Sequence, residues 1–119
     1  MSENFIDFRG SSYRCYMEVT LDIVGGKWKT LLVWHLNQES VMRFNELCRL
    51  HPKLTQKMLT QQLRELERDG IVTRKSYNQV PPKVEYSLTE YGETLLPALR
   101  LLSEWGRKYL TSHEASVQE

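Results

Sequence analysis

The segment from Thr55 to Gly70 constrains the fold of this chain more than any other. Over Gln56–Arg68 the apolar residues Met58, Leu59, Leu63 and Leu66 share one face of a helix. Lys57, Thr60, Gln61, Arg64 and Arg68 form the opposite face, the last four spaced 3, 4, 7 and 11 residues from Lys57. Thr55 can cap the start, because a hydroxyl there accepts a backbone N–H of the first turn, and Asp69-Gly70 can end it. A helix divided in this way needs packing on one side and leaves long hydrogen-bonding side chains free on the other.

Its neighbours complete an order of elements. Upstream, Phe44-Asn-Glu-Leu-Cys-Arg-Leu50 predicts a short helix ended by His51-Pro52, since the residue before a proline disfavours helical backbone. Tyr16–Val24 reads as another short helix, with Val19, Leu21, Ile23 and Val24 apolar and a stop at Gly25-Gly26. Lys27–Asn37 follows as a helix whose Trp28, Leu31, Leu32, Trp34 or His35, and Leu36 fill most of its circumference, which marks it as the buried central helix. Downstream, Ile71–Ser76 and Lys83–Leu88 are β-rich runs joined by Tyr77-Asn-Gln-Val-Pro-Pro82, a hairpin with a proline-stiffened tip. Thr89 can cap a final helix reaching about Thr111, with Pro97 as a kink or break inside it. Residues 1–14 are expected to form a flexible, irregular arm, 15–111 the folded domain and 112–119 a disordered tail.

Composition narrows the function. A chain of 119 residues, 40% apolar and 26% charged, has the proportions of one globular domain and points away from a multidomain enzyme. The longest uncharged apolar stretch, Thr30–Leu36, is far short of the ~20 residues that span a bilayer. Residues 1–14 carry two acids and two arginines without an apolar core, so no secretory signal is read there. The expected setting is cytoplasmic, with no membrane partner and with thiols reduced. Cys15 and Cys48 are too few and too distant for a disulfide framework or a four-ligand zinc site, and His35, His51 and His113 lack metal-ligand spacing. Gly25-Gly26-Lys27-Trp28 is not a phosphate loop, because that motif needs glycine where Leu21 stands and Ser or Thr after the lysine. No nucleophile elbow or acid–base pair is present, so no catalytic residue, metal or cofactor is expected.

Charge is unevenly distributed. Residues 1–42 sum to −1 and residues 84–119 to −3, whereas residues 43–83 hold nine basic and four acidic side chains, an excess of +5. That asymmetry points to a polyanionic partner. Taken alone, the two-faced helix is also what a plain solvated amphipathic helix looks like. Joined to the short preceding helix, the turn and the basic hairpin, it gives the order of a winged helix-turn-helix, mainly α with a small β-hairpin.

A helix reads the major groove only when one face is packed and the other carries donors of base-reading reach. Thr55, Gln56, Lys57, Thr60, Gln61 and Arg64 are the candidates: amides suit adenine edges, and Arg64 and Lys57 suit guanine or phosphate. On the hairpin, Lys75, Asn78, Gln79 and Lys83 could meet phosphate or the adjacent minor groove of double-stranded DNA, with Pro81-Pro82 limiting the entropy lost on docking.

The last helix is apolar on more than one face. Leu95, Leu96, Ala98, Leu99, Leu101, Leu102, Trp105, Tyr109 and Leu110 exceed what a domain this size can cover. One stripe should pack on its own domain. Leu95, Leu99, Leu102, Trp105 and Tyr109 are the expected homodimer interface, with the first helix contributing. Two-fold symmetry would set two reading helices ~34 Å apart on a palindromic site.

Several strings carry a family resemblance: Leu21-Asp22, Gly25-Gly26-Lys27-Trp28, Arg43-Phe44-Asn45-Glu46-Leu47, Thr55-Gln-Lys-Met-Leu-Thr-Gln-Gln-Leu63, Asp69-Gly70-Ile71-Val72, Val80-Pro-Pro-Lys-Val-Glu-Tyr-Ser-Leu-Thr89 and Tyr91-Gly92. Over roughly residues 15–109 the chain resembles the HxlR family of bacterial transcriptional regulators. The resemblance implies a dimeric winged-helix repressor or activator, MarR-like in form, that binds an inverted repeat near the genes it controls; of the two, repression is the expectation. It assigns 56–68 as recognition helix and 75–83 as wing. Family members commonly carry a cysteine at the start of the first helix, which Cys15 matches, although Tyr16 stands where a proline is usual.

In some relatives that cysteine senses electrophiles or oxidants, and in some a second cysteine forms a disulfide across the dimer. The resemblance thus implies a redox role for Cys15, with Cys48 as its candidate partner. Cys15 precedes a helix and follows Arg14, a setting that favours reactivity, while Glu18 one turn on opposes it. Cys48, at the margin of its helix's apolar face, reads first as a half-buried packing residue and only second as a resolving thiol. Two alternatives stand beside this reading: a winged-helix protein-interaction module without DNA binding, and a regulator controlled by a small molecule between the helices.

Overall fold

In a computed structural model describing residues 5–113, the chain is organised around the helix expected to be central. The ends of the expected arm (1–4) and tail (114–119) lie outside the described residues. Helix α2 (Lys27–Glu39) buries Leu32, Val33 and Leu36 completely, and helices and strands from later in the chain pack round it. Preceding it is α1 (Tyr16–Val24); following it are α3 (Phe44–Leu50) and α4 (Gln56–Arg68). Each of these helices matches the element expected from the sequence, with α2 running two residues further than expected, to Glu39. The turn between α3 and α4 is tight: the Leu54 N–H donates to the His51 carbonyl at 3.0 Å, while the His51 N–H closes α3 on Leu47.

Two pairs of strands depart from expectation. In place of an irregular arm, β1 (Ile6–Phe8) and β2 (Ser11–Tyr13) form an antiparallel hairpin in register Ile6 with Tyr13 and Phe8 with Ser11. Its two-residue turn, Arg9-Gly10, has φ of 53° and 75°, the left-handed backbone that a right-twisted hairpin of this loop length requires. Strands of three residues are too short to show period-two alternation in the sequence. The same reason hides β3 (Val41–Arg43), which pairs antiparallel with β5 (Lys83–Leu88). With β4 (Val72–Tyr77) on its other side, β5 is the middle strand of a three-stranded sheet rather than one arm of a free hairpin.

The last segment also differs. Thr89 caps as expected, its hydroxyl accepting the Gly92 N–H at 2.9 Å, but the helix it starts, α5, ends at Glu93. The long helix α6 is Leu96–Ser112, so Pro97 sits in its first turn, where a missing N–H leaves no helical bond unmade. Gly92 is required by packing: a Cβ there would lie 2.1 Å from the Ile71 carbonyl oxygen. Among the described residues no helix is long and apolar enough to cross a membrane, and no cluster of His, Cys, Asp and Glu could hold a metal.

A pair of histidines braces the helix-turn-helix from behind. His35 of α2 and His51 of the α3–α4 turn meet ring to ring, Nδ1 to Nε2 at 3.0 Å, with the Trp28 ring edge-on to His51. Such a bond needs one nitrogen to donate and the other to accept, so the accepting ring must be neutral and the bond cannot survive protonation of both rings. Burial holds both histidines below their ordinary value of 6.5, and His51 is lowered further by His35. A histidine depressed in the folded state favours unfolding when it protonates. The stability it supports is therefore complete above pH 6.5 and is lost as pH falls below that value. The melting temperature should drop between pH 7.5 and about 5.5, and His51→Gln should flatten that slope. Thermal scans with equal slopes for both proteins would contradict the assignment.

Candidate nucleic-acid interface

Helix α4 is locked in rotation by what it buries. Leu59, Leu63 and Leu66 are in the core, and the Thr55 hydroxyl accepts the Met58 N–H at 3.0 Å. Met58, expected on the inner face, is instead exposed at the margin of the stripe. A buried lysine fixes the same rotation: Lys29 Nζ of α2 donates to Glu65 Oε1 at 2.5 Å, and Gln61 Nε2 donates to Glu65 Oε2 at 2.6 Å. These hydrogen bonds hold the Glu65 carboxyl below its ordinary value.

With that side occupied, Gln56, Lys57 and Arg64 project from α4 as exposed side chains with no side-chain hydrogen bond or ion pair among the described residues. Thr60 and Gln61 are placed on the same face but are engaged. The Thr60 hydroxyl donates to the Gln56 carbonyl at 2.8 Å, and Gln61 must leave Glu65 before its amide can pair with a base.

The acids of the basic middle segment are largely consumed inside the protein. Glu46 accepts the Arg43 N–H at the start of α3 (2.8 Å), Glu65 meets Lys29, and Asp69 at the end of α4 meets Arg68 and Arg9. Burial pushes the Asp69 carboxyl up, but the hydrogen bonds from Arg68 and Arg9 outweigh it and leave it below its ordinary value. Arg43, Arg49, Lys53, Lys57, Arg64, Arg74 and Lys75 keep no acid partner among the described residues. The surface field is thus that of the cations.

Two clefts adjoin α4. One, of about 520 Å³, separates α4 from the sheet, with Thr60, Arg64 and Glu67 on one wall and Arg74, Val84 and Tyr86 on the other. The other, of about 360 Å³, runs beside Gln56, Lys57 and Gln61 to Phe44. Arg74 was not among the sequence candidates; its phase on β4, opposite Tyr86, is set by a register that composition does not reveal. Arg43 and Asn45 were also missed; the end of β3 and the start of α3 place them beside Pro81-Pro82 at the base of the wing.

On the wing, Asn78 and Gln79 are exposed at the tip and Lys75 keeps its charge unpaired, 5.0 Å above the Tyr77 ring. Lys83, also expected as a contact, is half-buried, pairs with Glu85 at 3.4 Å and lies 4.6 Å from the centre of the Tyr77 ring.

The expected interface residues split. Leu99 is in the protein's own core and Leu95 packs half-buried against it, so these two face inward, a correction that follows from α6 lying along α2. Leu102, Trp105 and Tyr109 are exposed, Trp105 by 66%, and Leu101 joins them at 73%. Tyr16, Met17 and Leu21 of α1 are exposed as well. The Cα radius of gyration is 17.0 Å, against about 13 Å for a compact chain of this length. Cys15 is exposed at the start of α1, with its Sγ 3.8 Å from Glu18 Oε1, so the charged group against the thiol is Glu18 rather than Arg14. Cys48 is half-buried against the core.

Comparison with known proteins agrees with this geometry. The HxlR-like helix-turn-helix family matches residues 23–114. An uncharacterized HTH-type transcriptional regulator of Bacillus subtilis (strain 168), YdeP, is 58% identical over 103 residues, covering 87% of this chain and 77% of its own. The redox regulator HypR in its reduced form is 54% identical with a TM-score of 0.78, covering 84% of this chain and 98% of that one. In its oxidized form it aligns at 57% identity and a TM-score of 0.74, over 79% and 96%.

Arg64→Ala should weaken binding to a specific duplex by about 1–3 kcal/mol and relax the sequence preference. Lys75→Ala should weaken all duplexes alike and reduce the slope of log affinity against log salt by about 1. Titrations on matched and mismatched duplexes separate the two; equal losses on both from Arg64→Ala would place that residue on phosphate instead.

Proposed function

The chain belongs to the HxlR-like helix-turn-helix family of transcriptional regulators, and we propose that it acts as a homodimer on an inverted-repeat operator, with its affinity set by the redox state of Cys15. The observation that carries the DNA-binding part is the division of α4: its apolar stripe is core, and its outer face offers Gln56, Lys57 and Arg64 between unpaired cations of α3 and the wing.

Dimerisation is supported by the exposed row Leu101, Leu102, Trp105 and Tyr109 on α6, since patches of this kind rarely remain open on a monomer. A symmetric partner would cover the row and space two copies of α4 along the duplex.

Redox control is supported by the exposed Cys15 and by the similarity to HypR, a redox regulator solved in two oxidation states. In this reading Cys15 of one protomer and Cys48 of its partner form a disulfide. A peroxide-class oxidant takes two electrons as the two thiols lose their protons. A second reading has one specific observation behind it. A groove of about 340 Å³ between α2 and α6, lined by Leu31, Trp34, Leu99 and Leu102, could receive an apolar small molecule as the signal.

Trp105→Lys should be monomeric by light scattering and bind the operator far more weakly; a dimeric variant would contradict the interface. Wild-type protein treated with mild peroxide should run as a linked dimer on a non-reducing gel, and Cys15→Ser should not. If Cys15→Ser still responds to the inducing signal, the groove reading replaces the thiol one.

A further inference from the structure

Asp69 closes α4, and its carboxylate is almost wholly enclosed, with a side-chain exposure of 2%. Arg68, the preceding residue, already satisfies it through Nε at 2.9 Å and Nη2 at 3.3 Å. One guanidinium is enough to neutralise one carboxylate. A second nevertheless reaches the same Oδ1: Arg9, sixty residues away in the chain. Charge balance does not explain Arg9.

The setting of Arg9 gives its consequence. It stands in the turn of the β1–β2 hairpin at a φ of 53°, a left-handed position for a residue with a side chain, and its guanidinium lies 4.6 Å over the Phe8 ring. Among the described residues this is the one polar side-chain contact from the hairpin to the reading half of the domain. The other end of the hairpin is tied to α1. The Tyr13 phenol donates to Asp22 at 2.8 Å, and the Arg14 N–H donates at 3.1 Å to Glu18 Oε1, the oxygen that also faces Cys15 Sγ. A short chain of fixed contacts thus joins the C-terminal end of α4 to the cysteine at the start of α1.

We propose that Arg9 is a positioning residue that straps the hairpin to the end of the recognition helix, so that a change at Cys15 is transmitted to α4 of the same protomer. The proposal rests on the reading of Cys15 as the redox-responsive thiol. It requires that breaking the strap leave the thiol chemistry intact while uncoupling it from DNA, and coupling of this kind works in both directions. DNA held by α4 should therefore also quieten the hairpin.

The test uses the full chain as wild type, Arg9→Ala and Arg9→Lys, with a duplex selected from a random-sequence pool by the reduced wild type. Anisotropy gives the affinity of reduced and peroxide-treated protein, and hydrogen exchange follows residues 6–13 with and without DNA. In wild type, oxidation should change affinity by about 5- to 150-fold, the ordinary range of coupling between sites. Arg9→Ala should form the same linked dimer on a gel and lose most of that ratio, and Arg9→Lys should recover part of it. If Arg9 serves stability alone, Arg9→Ala will lower the melting temperature and both affinities while leaving the ratio intact, which overturns the proposal. If wild type shows no redox ratio, the thiol reading fails and the strap is judged by exchange. DNA should then slow hairpin exchange in wild type and not in Arg9→Ala, and equal behaviour of the two overturns it.

Discussion

Everything that makes this chain a reader of DNA depends on the burial of Leu59, Leu63 and Leu66 against α2. A helix turns 100° per residue, so a rotation of α4 by one position would expose this stripe and drive Lys57 or Arg64 towards the core. Fully burying a leucine contributes about 1.5–3 kcal/mol, and three of them make the alternative rotations uncompetitive. The outer face is selected by the inner one. Lys29 adds specificity to that choice: a buried ammonium that finds Glu65 only when α4 is correctly turned disfavours other packings more than it stabilises this one.

The surroundings of α4 follow the same logic. The histidine pair holds the turn that leads into α4, and Gly92 lets α5 close on Ile71, between the end of α4 and the strand that follows it. Electrostatics is arranged with equal economy, since Glu46, Glu65 and Asp69, three of the four acids among residues 43–83, are drawn into caps and internal ion pairs. A modest net charge of +1 therefore conceals an excess of +5 carried by residues 43–83.

Local features were legible in the sequence, and non-local ones were not. Thr55, Asp69-Gly70 and the 3.6-residue stripe define α4 within a few turns of chain, and α3 and β5 were equally self-contained. The β1–β2 hairpin and β3 escaped because three residues cannot display a period of two. Leu95 and Leu99 were placed on the wrong stripe of α6 because its apolar residues surround the helix. Which stripe faces inward is decided by α2, not by α6 itself. Arg74 and Lys83 differ for a similar reason: strand register and the neighbouring Glu85, rather than residue type, determine which cation has an acid partner. The contact between Arg9 and Asp69 spans sixty residues and leaves no trace in local pattern.

The central claim is that the outer face of α4 recognises a DNA sequence. The most direct measurement is fluorescence anisotropy of the reduced protein on the duplex upstream of its own gene, in the presence of excess non-specific competitor. If that duplex gives no signal, one selected from a random-sequence pool takes its place. The account predicts saturable binding that survives the competitor. Binding that falls in proportion to competitor, or none on either duplex, would contradict it and leave a winged-helix fold whose exposed face serves a protein partner.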